Sequence, residues 1–317
     1  MHIGGFFELE LPLGGRHYHQ GGLRLSTGRA SVALLIRTLN PASAYLPYYC
    51  CEALVRPFAE ASIPIRFYRI GEDLTVQGLE DVKKGEWLVC VNYFGMMRGE
   101  IEKWVERLGD SVVVDNTQAF FARPNARAHC FNSARKFFGV PDGSYLHSPA
   151  EIVPPDRANE QIEWDHLVLR LCGRQAEAFA RYRTYEAGLT TQITSMSRLS
   201  EKLLATVDYE GVAARRRTNF DLYACAFGSR NRLKVERGDS VPFCYPLLAP
   251  QPVSRSRLAQ FGVYVPTFWP EVLDQASVET SWERHLAESL LPLPVDHRYG
   301  RSEIHHAIQA VEESMTS

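Results

Sequence analysis

The chain has 317 residues, 45% hydrophobic and 23% charged, with a formal net charge of −2. That length suits a large domain with a smaller one, and the balanced charge excludes a general nucleic-acid or membrane-surface binder. No apolar run approaches the ~20 residues that span a bilayer. The first residues, MHIGGFFE, lack the basic segment and apolar stretch of a secretion signal. The seven cysteines are scattered with no C-x-x-C pair, which points to free thiols in a reducing compartment, the cytoplasm.

In chain order, residues 31–39 (SVALLIRTL) read as a buried helix, opened by Ser26-Thr27-Gly28-Arg29-Ala30. Residues 44–46 form a short apolar strand that ends at Pro47 and runs through Tyr48-Tyr49-Cys50-Cys51 into a helix over 52–59. Strands are predicted at 65–70 (IRFYRI), 87–91 (WLVCV) and 111–114 (SVVV), with an amphipathic helix over 101–108 between the last two. Short β-rich runs separated by helices imply parallel strands with crossover helices. A strand covered on both faces should be apolar along its length, as SVVV is. Residues 158–205 are largely helical with a break over 188–195, and another helix follows over 208–227. The remainder mixes short strands and prolines and ends in a helix from about residue 302. The change of character puts a domain boundary near residue 200, within about ten residues, giving domains 1–200 and 201–317.

The stretch from 111 to 145 carries most of the chemistry. Asp115 ends a buried apolar strand, the place where open α/β sheets bind ligands; it can equally cap the turn that follows. Of six lysines, only Lys136 lies between a strand-like Cys130-Phe131 and a glycine-containing turn, Gly139 to Asp142-Gly143. It is either a snorkelling surface lysine or a chemically used one. The Ser26–Ala30 segment leaves free N–H groups and the positive dipole end at a helix start, which suits a phosphate or is an ordinary N-cap. Ser133 lies three residues before the lysine. His17 and His19 read as a surface loop, Arg215-Arg216-Arg217 as a solvated face, and Arg298-Tyr299 as a cap. No metal site, P-loop or G-x-S-x-G motif is present.

Taken in order, Thr27-Gly28-Arg29-Ala30, Pro47-Tyr48-Tyr49-Cys50-Cys51, Asp115-Asn116-Thr117-Gln118-Ala119, Ser133-Ala134-Arg135-Lys136 and Asp142-Gly143 resemble the pyridoxal 5'-phosphate (PLP)-dependent, fold type I sugar aminotransferases of the DegT/StrS type. Met196-Ser197, Leu199-Ser200, Arg216-Arg217-Thr218-Asn219 and 293–299 (LPVDHRY) extend the resemblance over most of the chain. The resemblance implies an α/β fold with a mostly parallel sheet of about seven strands and a smaller C-terminal α+β domain. It implies a homodimer with shared active sites.

For the residues, it implies Lys136 as the Schiff-base lysine and proton shuttle and Asp115 as the partner of the pyridine nitrogen. Gln118 would lie against the ring or its 3'-oxygen, Gly28, Arg29 and Ser133 at the phosphate, and Cys51 where many members stack an aromatic ring, with Tyr49 or Tyr93 in compensation. The activity the resemblance implies is transfer of an amino group from glutamate to a nucleotide-linked keto-sugar. Two alternatives accompany it: a dehydratase-like PLP reaction, opposed by the presence of Lys136, and a cofactor-fold protein without turnover. The asparagine-bearing segment that reaches the neighbouring subunit's phosphate is here Gln192-Ile193-Thr194-Ser195-Met196.

Overall fold

The computed structural model describes residues 9–12, 14–160, 163–234, 236–275 and 281–315. The start of the chain, read above for a secretion signal, lies outside them.

The strands are β1 (Leu23–Leu25), β2 (Ser43–Pro47), β3 (Ile65–Ile70), β4 (Val76–Gln77), β5 (Glu86–Val91), β6 (Val112–Asn116), β7 (His129–Asn132) and β8 (Ser144–His147), in one sheet of order β1-β8-β7-β6-β5-β2-β3-β4. β3, β2, β5, β6 and β7 are parallel, whereas β8 runs antiparallel to β7 and β1, and β4 antiparallel to β3. Every residue of β5 and β6 is buried, as strands covered on both faces require. The eighth strand beyond the expected seven is β4, a two-residue edge pairing.

Helix α1 (Gly28–Leu39) follows β1. The Thr27 side chain accepts from the Ala30 N–H at 3.0 Å, and the helix ends at Asn40 in the left-handed conformation (φ 45°), its N–H bonded to Ile36 O. Asparagine tolerates that backbone better than most residues. Helices α2 (Glu52–Glu60) and α3 (Arg98–Leu108) complete the crossovers. After the sheet come α4 (Asp165–Leu171), α5 (Gln175–Gly188), α6 (Arg198–Ala205) and the long α7 (Tyr209–Phe227). Strand β9 (Cys244–Leu247), α8 (Arg255–Gln260), α9 (Trp282–Ser289), β10 (Leu291–Pro294) and α10 (Arg301–Met315) follow, with β9 and β10 paired antiparallel. The proposed division near residue 200 falls inside α6. Among the described residues, no helix is long and apolar enough to cross a membrane, and the seven cysteines are free.

Two readings need correction. His19 is 6% exposed: its Nε2 lies 2.5 Å from Phe120 O and its Nδ1 3.3 Å from His147 Nε2. It belongs to the interior because the rings of Phe120, Tyr145 and His147 surround it. Arg216 is 1% exposed, not solvated. Its guanidinium donates to Pro242 O and Phe243 O, both at 3.2 Å, and lies 4.4 Å from the centre of the Phe137 ring. Burial lowers its pKa to about 10.

Candidate active site

Strand β7 ends at Asn132, and the chain turns through Ser133 into a single 3-10 turn, Ala134–Lys136, before returning as β8. The turn is tied at its base: Ala134 N donates to Gly143 O at 2.8 Å and Gly143 N to Ser26 O at 2.6 Å. Gly143 has φ +129°, a region that favours glycine. Asp142, 1% exposed, accepts from Ser197 N (2.8 Å), Ser197 Oγ (2.6 Å), Asn159 Nδ2 (3.0 Å) and Ser200 Oγ.

Lys136 is exposed in the single chain, and its Nζ donates to Thr117 Oγ1 at 3.0 Å. The Thr117 N–H in turn donates to Asp115 Oδ1 at 2.8 Å. Lysine and aspartate are therefore linked through Thr117 at the carboxyl ends of β6 and β7. Asp115 is 4% exposed. Burial raises its carboxyl pKa above the ordinary value, while the Lys136 charge and the Thr117 hydrogen bonds pull it down.

The start of α1 closes on the same place. A Cβ added to Gly28 would lie 3.4 Å from Thr117 Cγ2 and 3.4 Å from the Phe131 ring. Gly28 and Arg29 occupy the first two helical positions, whose N–H groups have no intrahelical acceptor, and Thr27 already serves Ala30. The Arg29 Nε is buried with no hydrogen-bond partner. Ser133 is buried at the head of the lysine turn.

Cys51 precedes α2 and is partly buried. Burial raises its thiol pKa, and the nearby Lys136 charge opposes that rise. Tyr49 and Tyr93 are 0% and 2% exposed and pack on each other and on Trp269, so neither ring is free to stack on a ligand. Gln118 is buried, and its Oε1 accepts from Phe94 N at 2.9 Å. It thereby supports the turn Tyr93–Gly95, in which Phe94 has φ 58°. In the segment 192–196, Thr194 Oγ1 donates to Ser26 Oγ at 2.8 Å and Ser195 Oγ to Pro155 O at 3.2 Å, while Gln192 is exposed.

Sequence reasoning gave no role to Thr117 or Arg135. Thr117 stands in the quoted Asp-Asn-Thr-Gln-Ala run, and its place two residues after the aspartate was the available signal. Arg135 stands beside the lysine, but only the fold brings Glu186 to it.

No protein-family model matches the chain. No curated protein matches it by sequence either. Solved structures do match. Spr1654 of Streptococcus pneumoniae, assigned as a sugar aminotransferase and solved in PMP and PLP forms, aligns in its PMP form at 14% identity over 93% of this chain and 87% of its own, with TM-score 0.66. The aminotransferase TlmJ of Streptoalloteichus hindustanus aligns at 17% identity over 93% and 85%, with TM-score 0.63. The sugar aminotransferase CalS13 of Micromonospora echinospora aligns at 15% identity over 92% and 86%, with TM-score 0.60. The chain has the α/β architecture of these proteins, a large mostly parallel sheet flanked by helices, which is the arrangement of fold type I.

Proposed function

We propose that the protein is a PLP-dependent aminotransferase that moves an amino group from an amino acid, glutamate in our reading, to a keto-sugar, with a nucleotide-linked sugar as the acceptor class. The observation that carries this reading is the convergence of Lys136, Asp115 and the start of α1 on Thr117.

The residues fit the cofactor. Asp115 is a buried carboxylate short of counter-charge, and a protonated ring nitrogen supplies that charge. The N–H groups of Gly28 and Arg29, at the positive end of α1, would receive the phosphate, and the buried Ser133 hydroxyl would donate to it. When bound, pyridoxal phosphate supplies an aldehyde and a ring that accepts the electron pair released at the substrate carbon.

The chain's own residues do the rest. Asp115 would hold a proton at the ring nitrogen. Thr117 holds the Lys136 amine at the strand end, where it would hold the cofactor covalently and serve as the group that takes up and returns a proton. Cys51 lies near enough to Lys136, Asp115 and Arg29 to feel their charges. A second subunit would cover the exposed amine, since proton transfer of this kind benefits from exclusion of water. We place this activity in the cytoplasm with small-molecule donor and acceptor.

A reading without turnover draws on one observation: the segment 192–196 is engaged within its own chain. Adding glutamate to the PLP-loaded protein separates the two readings. Aminotransfer predicts loss of the visible band, with stoichiometric 2-oxoglutarate, and its return with a keto-sugar. A band indifferent to every amino donor would refute turnover.

A further inference from the structure

Arg135 and Lys136 are neighbours with opposite surroundings. Lys136 is exposed, whereas the Arg135 side chain is 12% exposed and forms an ion pair with Glu186 in the last turn of α5. The Arg135 guanidinium also lies 5.4 Å from the centre of the Tyr185 ring. Tyr185 itself donates through its hydroxyl to Pro141 O, in the connection between the lysine turn and β8, and stacks on His166 of α4 at 5.0 Å. Two adjacent residues of α5 therefore hold the segment 135–141 at its two ends, one beside Lys136 and one beside Asp142.

We infer that Arg135, Glu186 and Tyr185 form a buckle that positions Lys136, so that the α4–α5 hairpin sets the placement of the amine. This rests on Lys136 being the residue that bonds the cofactor.

The physical argument is one of reach. A lysine has four rotatable side-chain bonds, and Nζ has one hydrogen bond holding it, to Thr117. Its aim depends on where the backbone of a three-residue turn is fixed. Backbone bonds tie the turn at its base, Ala134 N–H to Gly143 O and Phe137 N–H to Ala134 O, and the side chains from α5 add the anchors beside the amine itself. Releasing Glu186 leaves the Arg135 charge in a mostly buried place without its counter-ion, which drives the guanidinium outward and the turn with it. The condensation of the Lys136 amine with the cofactor aldehyde, which releases one water, then proceeds from a displaced amine. A displacement of about 1 Å costs on the order of a hundredfold in rate.

The test compares two ligands on the full-length protein: PLP, which condenses with lysine, and 4'-deoxypyridoxine 5'-phosphate, which lacks the aldehyde and cannot. Glu186→Gln should slow the appearance of the visible PLP band by about ten- to a hundredfold while leaving the affinity for the deoxy compound within about twofold. Glu186→Asp, which keeps the charge, should recover part of the rate, and it serves as the working variant should Glu186→Gln not fold. Tyr185→Phe, which removes only the bond to Pro141, should slow the reaction by a smaller factor. An unchanged rate in Glu186→Gln overturns the inference while leaving the aminotransferase reading intact. Equal loss for the two ligands also overturns it, because that marks a general weakening of the pocket. A wild-type protein that binds the deoxy compound but forms no band with PLP removes the functional reading and this inference together.

Discussion

Replacing Asp142 tests whether the turn beneath the lysine is held by charge or only by shape. Its two carboxylate oxygens receive four donors, and the side chain is 1% exposed. The donors are of two kinds. Ser197 N–H and Asn159 Nδ2–H meet Oδ2 and cannot become acceptors, whereas the hydroxyls of Ser197 and Ser200 meet Oδ1 and can rotate. Asparagine can therefore keep its carbonyl toward the two N–H groups and donate its amide toward the hydroxyls. Four charge-assisted bonds become neutral ones, a loss of about 1 kcal/mol each. That loss is offset in part by the desolvation of a buried charge that asparagine avoids, leaving about 2 kcal/mol. Alanine leaves the two N–H groups buried without acceptors, at about 1–3 kcal/mol each, for a total of about 4 kcal/mol. Urea unfolding of Asp142→Asn and Asp142→Ala measures both. An alanine variant no less stable than the asparagine variant, or either within about 0.5 kcal/mol of wild type, the ordinary range of surface substitutions, would refute the reasoning.

Asp115→Asn should raise the stability of the cofactor-free protein at neutral pH, since burial raises the carboxyl pKa above its unfolded value and the ionised form is the disfavoured one in the fold. The gain should shrink as pH falls through the folded value, where wild-type Asp115 also becomes neutral. The same change should weaken PLP binding by roughly ten- to a hundredfold, the worth of a charge-assisted hydrogen bond, as read by equilibrium titration. His19 has a pKa lowered to about 4 by burial, so the unfolded chain binds more protons than the folded one between about 6.5 and 4. Its contribution is intact above that window and is lost progressively as pH falls through it, by about 3 kcal/mol; His19→Gln should flatten the fall in stability over that range. Thr27→Ala removes the side chain that caps Ala30 and should cost about 1 kcal/mol in denaturant unfolding.

The parallel core of the sheet was legible because burial on both faces writes itself as unbroken apolar runs, as in WLVCV and SVVV. β1 and β8 were not, because three- and four-residue strands such as LRL and SYLH offer too few alternations to read. Helices α8 and α9 were hidden among prolines and charges in the last third of the chain. Within the site, the order of Gly28, Asp115 and Lys136 along the chain could be read, and the fold brings them around Thr117. The supports could not be read, because they depend on pairings far apart in sequence: Asp142 with Asn159, Ser197 and Ser200, and Arg135 with Glu186. Arg216 misled for a related reason. A run of three arginines looks solvated in one dimension, but the helix turns the middle one inward onto Phe137, beside the lysine.

Borohydride reduction of the PLP-treated protein, followed by peptide mapping, bears most directly on the claim that Lys136 is the residue that bonds the cofactor. The account predicts a stable pyridoxyl group on the peptide that carries Lys136, absent from Lys136→Ala and much reduced in Asp115→Asn. Label on another lysine, or an equal yield from Lys136→Ala, would contradict it.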